Sequence, residues 1–501
     1  MPQLQRNRPM LLSDYEWSRN PRGMHVRSPF DSDLSIRDYR TWGMGWVKLV
    51  VASYDYLGLV PRFIDAGITP VVRVYLGRHG NQPMTRQHRD YYIRFAQAGV
   101  KWFEFYNEPN LPVEWPIGVV PDWRNRSLLE PLVENWLDWA EFIVSIGGYP
   151  GFVPFAESAD VTETAVLRWI DAMLAYIANR HYDRFINLAV NGLYCATHPY
   201  ILNHFYQEGF GGNPRPPGEQ RARGTSPWHF EYPYDPFTQS LDPGRTAFGG
   251  TDQTPFGDPN GLIAVGRIFN ERCAELFGVQ SIPVLGTEGG IWRFPAPGEA
   301  GYQQDVRFPP YTNQSHAQAT LAMFDWIAQQ APPWFFGVTL WIEDDYVEDG
   351  QAALNVLSQN APYTKEVPDI SVLEDSSFYF ASGAPDSIRG PGPVHGQADL
   401  HMVLLDDTLS VDWFFETASG YWDRFRPIVT TNTDFLDMMP YSKSLAITLV
   451  VSSVRRFEAE NFIRENYPNA YLDPLIVQDG NTYAQLATVF QQRVETGRRF
   501  G

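Results

Sequence analysis

The sequence predicts a closed (β/α)₈ barrel followed by a small α/β domain. Apolar strand-like segments alternate with helical segments over most of the chain, and two of the strands end in a glutamate. Alternating strands and helices indicate parallel strands joined by crossover connections. Eight such units fit a closed barrel. An open doubly wound sheet is the alternative, but it gives no reason for carboxylates at the tips of two separate strands.

The predicted elements follow one another at regular spacing. The eight strands are expected at 23–27, 46–51, 68–76, 102–108, 151–153, 185–190, 282–286 and 336–342. Helices are expected at 57–66, 85–98, 134–146 and 164–179. Gly67, Gly99 and Gly278 each precede an apolar residue where a helix gives way to a strand, and glycine suits the end of a helix.

The domain boundaries follow from breaks in this spacing. We assign 1–382 to the barrel, with a Gly/Pro/aromatic insertion at about 201–262 after strand six, where it would form a wall of the cleft. Residues 383–397, rich in proline and glycine, form a predicted linker. Residues 398–501 are predicted to form a small α/β domain with strands at 400–405, 428–430, 445–451 and 472–477 and a last helix at 483–500. Its expected role is packing or homo-oligomerisation.

Composition excludes several classes of function. A net charge of −19 argues against nucleic-acid binding, which needs a basic face. No stretch has the length of a membrane span, and no signal peptide is readable, which fits either a cytoplasmic chain or a secreted chain whose signal is absent. The two cysteines, Cys195 and Cys273, make no disulfide framework, so we expect two buried thiols, with a single bridge between them as the alternative.

The stretch 102–112 is the first candidate for chemistry. Residues 102, 104, 106 and 108 share one strand face by period-two alternation, and Pro109 ends the strand because it has no N–H for the ladder. Glu108 is therefore expected at the tip of a rigid element. Alternation turns Asn107 away from Glu108, unless a bulge at the strand end brings both into one site.

The stretch 284–292 is the second candidate. It is an apolar strand with Glu288 at its carboxyl end, followed by Gly289 and Gly290, which leave room for a ligand, and by Trp292. Strand eight ends near Trp341, so an indole is expected at the same rim. Two carboxylates across one barrel mouth with an aromatic floor are what glycoside cleavage needs.

The chain resembles the large clan of retaining (β/α)₈ glycoside hydrolases that includes cellulase-like, mannanase-like and xylosidase-like families. The resemblance covers roughly 23–346 and depends on Asn-Glu-Pro ending strand four, a Glu ending strand seven and a Trp ending strand eight. It implies a carbohydrate substrate, with Glu108 as general acid/base, Glu288 as nucleophile and Asn107 as partner of the sugar 2-hydroxyl. Trp341 would be the platform under the reacting sugar. Such a double displacement places the two carboxyl groups about 5–5.5 Å apart and requires no metal or cofactor.

Two positions depart from the clan's pattern. Many members have an Arg near the end of strand two, where this chain has Lys48; Arg73 on strand three either replaces it or pairs with Glu104 inside the barrel. Many also have a His or Tyr near the end of strand six. The candidate here is Asn191, or His198 with Tyr200, depending on where that strand ends.

There are two rival hypotheses, and these departures motivate the first of them. One is a carbohydrate-binding barrel that has lost turnover. The other is a structural subunit organised by its C-terminal domain.

Overall fold

The computed structural model describes residues 9–26, 35–159, 161–248, 251–291, 305–373, 398–406, 409, 411–439, 444–467, 470–477 and 482–501. The predicted linker at 383–397 and Trp292 lie outside this set. The chain divides into two compact units. The first comprises Met1–Met173, Ile186–Arg272 and Val279–Glu374, and the second comprises Leu174–Phe185, Cys273–Gly278 and Asp375–Gly501.

The first unit contains the predicted closed barrel of eight parallel strands. These are β1 Arg22–His25, β2 Trp46–Val51, β3 Thr69–Val74, β4 Trp102–Glu104, β5 Tyr149–Phe152, β6 Tyr194–Thr197, β7 Val284–Gly286 and β8 Phe335–Leu340. Each strand pairs with its neighbours in the sequence, and β1 closes the barrel by pairing with β8. All carboxyl ends therefore open on one face, where active sites of this architecture lie.

Helices connect the strands. They are α1 Ile36–Thr41, α2 Val60–Asp65, α3 Arg86–Gln97, α4 Arg126–Ser145, α5 Val166–Arg180, α6 Tyr182–Asn191, α7 Pro236–Leu241, α8 Ala264–Phe277, α9 Asn313–Gln329, α10 Glu343–Glu348 and α11 Gln351–Gln359. Helix α3 has the predicted limits, because the side chain of Thr85 caps its first turn by accepting from the backbone N–H of His88.

The prediction of strand six was wrong. Residues 185–190 lie inside helix α6, and β6 begins at Tyr194. A short apolar run does not distinguish a buried helix from a buried strand, and Phe185, Ile186 and Ala189 are buried on the helix instead. Gly192, with φ of 126°, ends this segment before β6.

An aromatic cluster fills the amino-terminal end of the barrel. Trp46, Trp102, Tyr149 and Tyr194 are the first residues of their strands, and all four are buried in one cluster with Tyr15 from the chain's lead segment. The apolar packing therefore closes the end of the barrel opposite the strand carboxyl ends, and polar side chains are left for the layers above it.

The insertion after β6 has its own short elements. Tyr206–Gln207 pairs antiparallel with Trp228–His229, and α7 follows. The side chain of Asp235 caps α7 by accepting from the N–H groups of Phe237 and Thr238.

The second unit contains a four-stranded parallel sheet, as predicted for an α/β domain. Its strands are β9 Leu400–Leu405, β10 Ile428–Thr430, β11 Leu445–Ser452 and β12 Tyr471–Val477, in the order β10-β9-β11-β12. Its helices include α12 Val411–Phe425, α13 Arg456–Asn466 and α14 Thr482–Thr496. Alternate residues of β9 belong to two different apolar clusters: Val403 and Leu405 to one, and Met402 and Leu404 to the other. Both faces of the sheet are therefore covered.

Both cysteines are buried thiols, as expected. Among the described residues, no helix is both long and apolar enough to cross a membrane.

Candidate active site

Glu108 and Glu288 converge at the carboxyl end of the barrel. Glu288 follows β7 by two residues and Glu108 follows β4 by four. One carboxylate oxygen of each, together with a ring nitrogen of His198, lie within 4.8 Å of one another. The side chain of Glu288 is 4% exposed and that of Glu108 is 16% exposed, so Glu108 is the more accessible of the two.

Glu108 is held by the loop that follows β4. Its φ is 36°, a left-handed conformation uncommon for a residue with a side chain, and its N–H donates to the carbonyl of Pro154 at 3.0 Å. Asn110 is fully buried and exchanges hydrogen bonds with the backbone of Ala156, as donor and as acceptor. The chain after β5 therefore fixes the loop that carries the carboxylate.

Glu288 is surrounded by donors. Arg73 Nη1 lies 2.8 Å from Glu288 Oε1, and the hydroxyl of Tyr200 donates to Oε2 at 3.1 Å. His25 Nε2 is 3.6 Å from Oε1, and His198 Nδ1 is 3.8 Å from Oε2. Burial alone would raise the pKa of Glu288, but His198, Arg73 and His25 outweigh it and hold the pKa well below its usual range. Glu288 is therefore a carboxylate kept ionised.

His198 lies between the two glutamates. Its Nδ1 is 2.9 Å from Glu108 Oε1, and the ring is buried. Tyr200 belongs to the short strand Tyr200–Ile201, which pairs in parallel with Gly290–Ile291 directly after Glu288. The segment after β6 thus brings both predicted residues, His198 and Tyr200, to the two glutamates.

Gly289 allows these two short strands to approach each other closely. Gly289 has φ of 135°, and a Cβ there would lie 2.5 Å from the carbonyl oxygen of Pro199. Only glycine fits at that position, so the segment after β6 packs directly against the backbone that carries Glu288.

The other candidate for strand six, Asn191, is not at the site. It is the last residue of helix α6, and its Nδ2 donates to the carbonyl of Asn187 at 2.7 Å. Its assignment to a strand end was wrong because the strand itself was misplaced.

Lys48 and Arg73 have different roles in the barrel. Lys48 is fully buried and pairs with Glu104, and burial lowers the pKa of Lys48 to about 8. Lys48 therefore lies in the barrel interior rather than at its opening. Arg73 was expected either to replace the Arg that many clan members have near the end of strand two or to pair with Glu104. Its guanidinium contacts Glu288, which agrees with the first alternative.

Asn107 joins the site because β4 ends earlier than predicted. The strand stops at Glu104, so alternation no longer decides which way residues 107 and 108 face. Asn107 Oδ1 accepts from Arg73 Nη1, and Asn107 Nδ2 donates to Glu114 Oε1 at 2.7 Å. The left-handed Glu108 takes the place of the expected bulge.

Trp341 follows β8 at the rim. The residue is half-buried, and its backbone N–H donates to the carbonyl of Gly289 at 2.9 Å. Its ring meets His25 edge-on with centroids 4.4 Å apart and lies 6.4 Å from that of Tyr200. The peptide bond between Trp341 and Ile342 is cis. The indole therefore lies near His25 and Tyr200, two of the side chains beside Glu288.

Two residues of the site were not among the candidates that the sequence predicted. His25 is the last residue of β1, and the strand-end argument applied to Glu108 and Glu288 would have found it. Glu114 lies in a short 3₁₀ turn, Pro112–Glu114, and nothing in its sequence spacing marks it. A cavity of about 220 Å³ adjoins Asn107 and Glu114, with Tyr75 and Arg78 in its wall.

The spacing of Glu108, His198 and Glu288 would allow a metal ion. However, Arg73 and Tyr200 already contact the two oxygens of Glu288. A metal ion bound there would lie beside a guanidinium cation. The donor set fits proton transfer and nucleophilic attack better than metal coordination.

No family model matches the sequence, and no curated protein matches it. Among solved structures, a GH1 β-glucosidase from Exiguobacterium antarcticum B7 is 13% identical, with 65% of this chain and 88% of that one covered and a TM-score of 0.30. The clostridial cellulose synthase subunit Z from Clostridioides difficile is 10% identical over 68% of this chain and 99% of that one, with a TM-score of 0.32.

An endo-β-1,4-mannanase from Thermotoga petrophila is 9% identical over 70% of this chain and 77% of that one, with a TM-score of 0.32. At these identities and TM-scores the likenesses carry no argument about activity.

Proposed function

We propose that this chain is a glycoside hydrolase that cleaves O-glycosidic bonds by a retaining double displacement, with Glu288 as nucleophile and Glu108 as general acid/base. The observation that carries the proposal is the approach of the two carboxylates to within 4.8 Å. Retaining enzymes hold their carboxyl groups about 5–5.5 Å apart, whereas inverting enzymes need about 6.5–9.5 Å for an intervening water. The bound on these nearest oxygens is shorter than the separation that inverting enzymes need, which supports retention.

The environments of the two glutamates support the division of labour. Glu288 is buried among donors that keep it ionised, as a nucleophile requires. Glu108 is more accessible and contacts His198, a group able to exchange a proton with it. In the proposed reaction the buried Glu288 attacks, and the more accessible Glu108 protonates the leaving group and then deprotonates water.

The reaction then proceeds in two steps. A carboxylate oxygen of Glu288 forms a bond to the anomeric carbon while the bond to the leaving oxygen breaks and Glu108 gives that oxygen its proton. Glu108, now ionised, takes a proton from water. The resulting hydroxide bonds to the anomeric carbon, and the ester bond to Glu288 breaks to restore the carboxylate.

Neighbouring side chains hold the reactants. Arg73 and Tyr200 fix the two oxygens of Glu288 from different strands. In this proposal Asn107 binds the 2-hydroxyl of the reacting sugar, and Trp341 forms the platform beneath it. Arg73 lies beside the proposed nucleophile, whereas Lys48 pairs with Glu104. The presence of Lys48 on strand two is therefore a weaker reason to expect a barrel without turnover.

The test is covalent labelling. Incubation with a panel of 2-fluoro glycosides carrying good leaving groups should give one adduct, on the peptide that contains Glu288. Glu288→Gln should give none, and Glu348→Gln, an exposed acid of α10, should label like the parent. Binding of sugars without any adduct across the panel, or a product of inverted configuration by NMR, would reject the retaining hydrolase.

A further inference from the structure

We propose that Glu114 is a positioning residue that fixes the side-chain amide of Asn107 for the 2-hydroxyl of the substrate. The inference rests on the proposed function, because it assumes that Asn107 meets the reacting sugar. Glu114 has no motif of its own, and only the fold brings it to Asn107.

The two ends of an Asn amide are nearly the same in shape but opposite in hydrogen bonding. Here Arg73 Nη1 donates to Oδ1, and Nδ2 donates to Glu114 Oε1 at 2.7 Å. A flipped amide would place NH₂ against a guanidinium and C=O against a carboxylate. Both contacts would be repulsive, so Arg73 and Glu114 together allow one orientation only.

Glu114 is itself held in place by the backbone. Its carbonyl accepts from the N–H of Gly80 at 2.9 Å, and its N–H donates to the carbonyl of Leu111 at 3.2 Å. The next residue, Trp115, is buried, and its indole donates to the carbonyl of Pro109 at 2.7 Å. The backbone that carries the Glu114 carboxylate is therefore held by contacts independent of Asn107.

This arrangement leaves Asn107 ready to bind a hydroxyl. Nδ2 has two hydrogens, and within the described part of the chain its hydrogen bond goes to Glu114 alone, which leaves the second hydrogen for the sugar. Contacts to the 2-hydroxyl strengthen in the transition state of glycoside cleavage, so a loosened amide should lower the rate as well as the affinity.

The experiment compares an aryl glycoside with its 2-deoxy analogue. Glu114→Met keeps the side-chain length but has no acceptor, and it should lower kcat/KM for the parent glycoside roughly tenfold. The 2-deoxy analogue has no hydroxyl to position, so its kcat/KM should change by about twofold at most. Glu114→Gln keeps an acceptor oxygen and should retain most of the discrimination between the two substrates.

Two further variants complete the design. Ile117→Ser changes an 88% exposed residue of the same loop and should leave the ratio of the two kcat/KM values unchanged. Asn107→Asp places two carboxylates side by side, and adding Glu114→Gln to it supplies an amide donor again. The double variant should therefore be more active than Asn107→Asp alone.

The outcomes separate the two proposals. A parent enzyme with no turnover on any glycoside would reject the proposed function. An active parent whose Glu114→Met variant loses equal activity on both substrates, or whose Asn107→Asp variant is not improved by Glu114→Gln, would reject the positioning role alone.

Discussion

The guanidinium of Arg73 lies 2.8 Å from Glu288 Oε1, and both side chains are buried. Arg73 is the next-to-last residue of β3, and Glu288 follows β7 on the far side of the barrel. A buried carboxylate without such a partner would tend to hold a proton. Arg73 therefore acts with His198 and His25 to keep Glu288 an anion.

Replacing Arg73 should change how activity depends on pH. Arg73→Met removes a positive charge that lowers the pKa of Glu288, so that pKa should rise. Attack requires ionised Glu288, and the acidic limb of the kcat/KM profile should consequently move to higher pH, with a rate loss of roughly 10²-fold at the optimum. Steady-state kinetics over a pH series measures both effects.

Arg73→Lys serves as the control for charge. It keeps the positive charge while losing the planar fork, so its acidic limb should stay near that of the parent. An acidic limb that does not move in Arg73→Met would show that Arg73 does not set the ionisation of Glu288.

Glu108→Gln should make activity depend on the leaving group. The variant has no proton to give, so glycosides with poor leaving groups should lose roughly 10²–10⁴-fold in kcat/KM. Substrates with strongly acidic leaving groups need less protonation and should lose much less in the glycosylation step. Rates across a series of aryl glycosides measure this slope.

Added azide gives the second readout for this variant. Azide attacks the glycosyl-enzyme without a general base, so it should speed turnover of Glu108→Gln and yield a glycosyl azide of retained configuration. Full activity of the variant on poor leaving groups would remove Glu108 from the acid role.

Lys48 and Glu104 should behave as a buried pair in stability measurements. Lys48→Met leaves Glu104 without the cation it contacts, and we expect a loss of about 3–5 kcal/mol in the free energy of unfolding. The double variant Lys48→Met/Glu104→Leu also lacks the unpaired buried carboxylate, so it should recover most of that loss in the free energy of unfolding. Denaturant unfolding followed by circular dichroism measures it, and strictly additive losses in the double variant would contradict the pairing.

Glu157 should make the protein less stable as the pH rises. Both its carboxylate oxygens are buried without a hydrogen-bond partner among the described residues. Burial first, and then the charges of Asp258, Glu108 and Glu231, raise the pKa of Glu157 well above its usual value. The unfolded chain thus releases this proton at lower pH than the folded chain, and folding is disfavoured above the unfolded pKa.

Glu157→Gln removes this penalty. The variant should match the parent near pH 4 and exceed it by about 1 kcal/mol or more near pH 8, seen as a higher Tm. Glu348→Gln, which replaces an exposed acid, should show no such trend. An equal difference between Glu157→Gln and the parent at both pH values would contradict the raised pKa.

Local pattern predicted most of the barrel. Segments such as 46–51 and the helix capped by Thr85 carry their signals within a few residues, and the structure has them where expected. Strand six failed because six mostly apolar residues, interrupted by Asn187, satisfy either a helix or a strand. That one error placed Asn191 at the site and left His198 and Tyr200 as an alternative only.

By itself, the sequence determined the alternation of strands and helices and the two glutamates at strand ends, because hydrophobic periodicity and a proline or glycine stop are local properties. Tertiary structure alone decided that Arg73 rather than Lys48 meets Glu288, and that Glu114 meets Asn107. Barrel closure brings distant positions together, and the choice among buried charges depends on distances of a few ångströms that no spacing in the chain encodes.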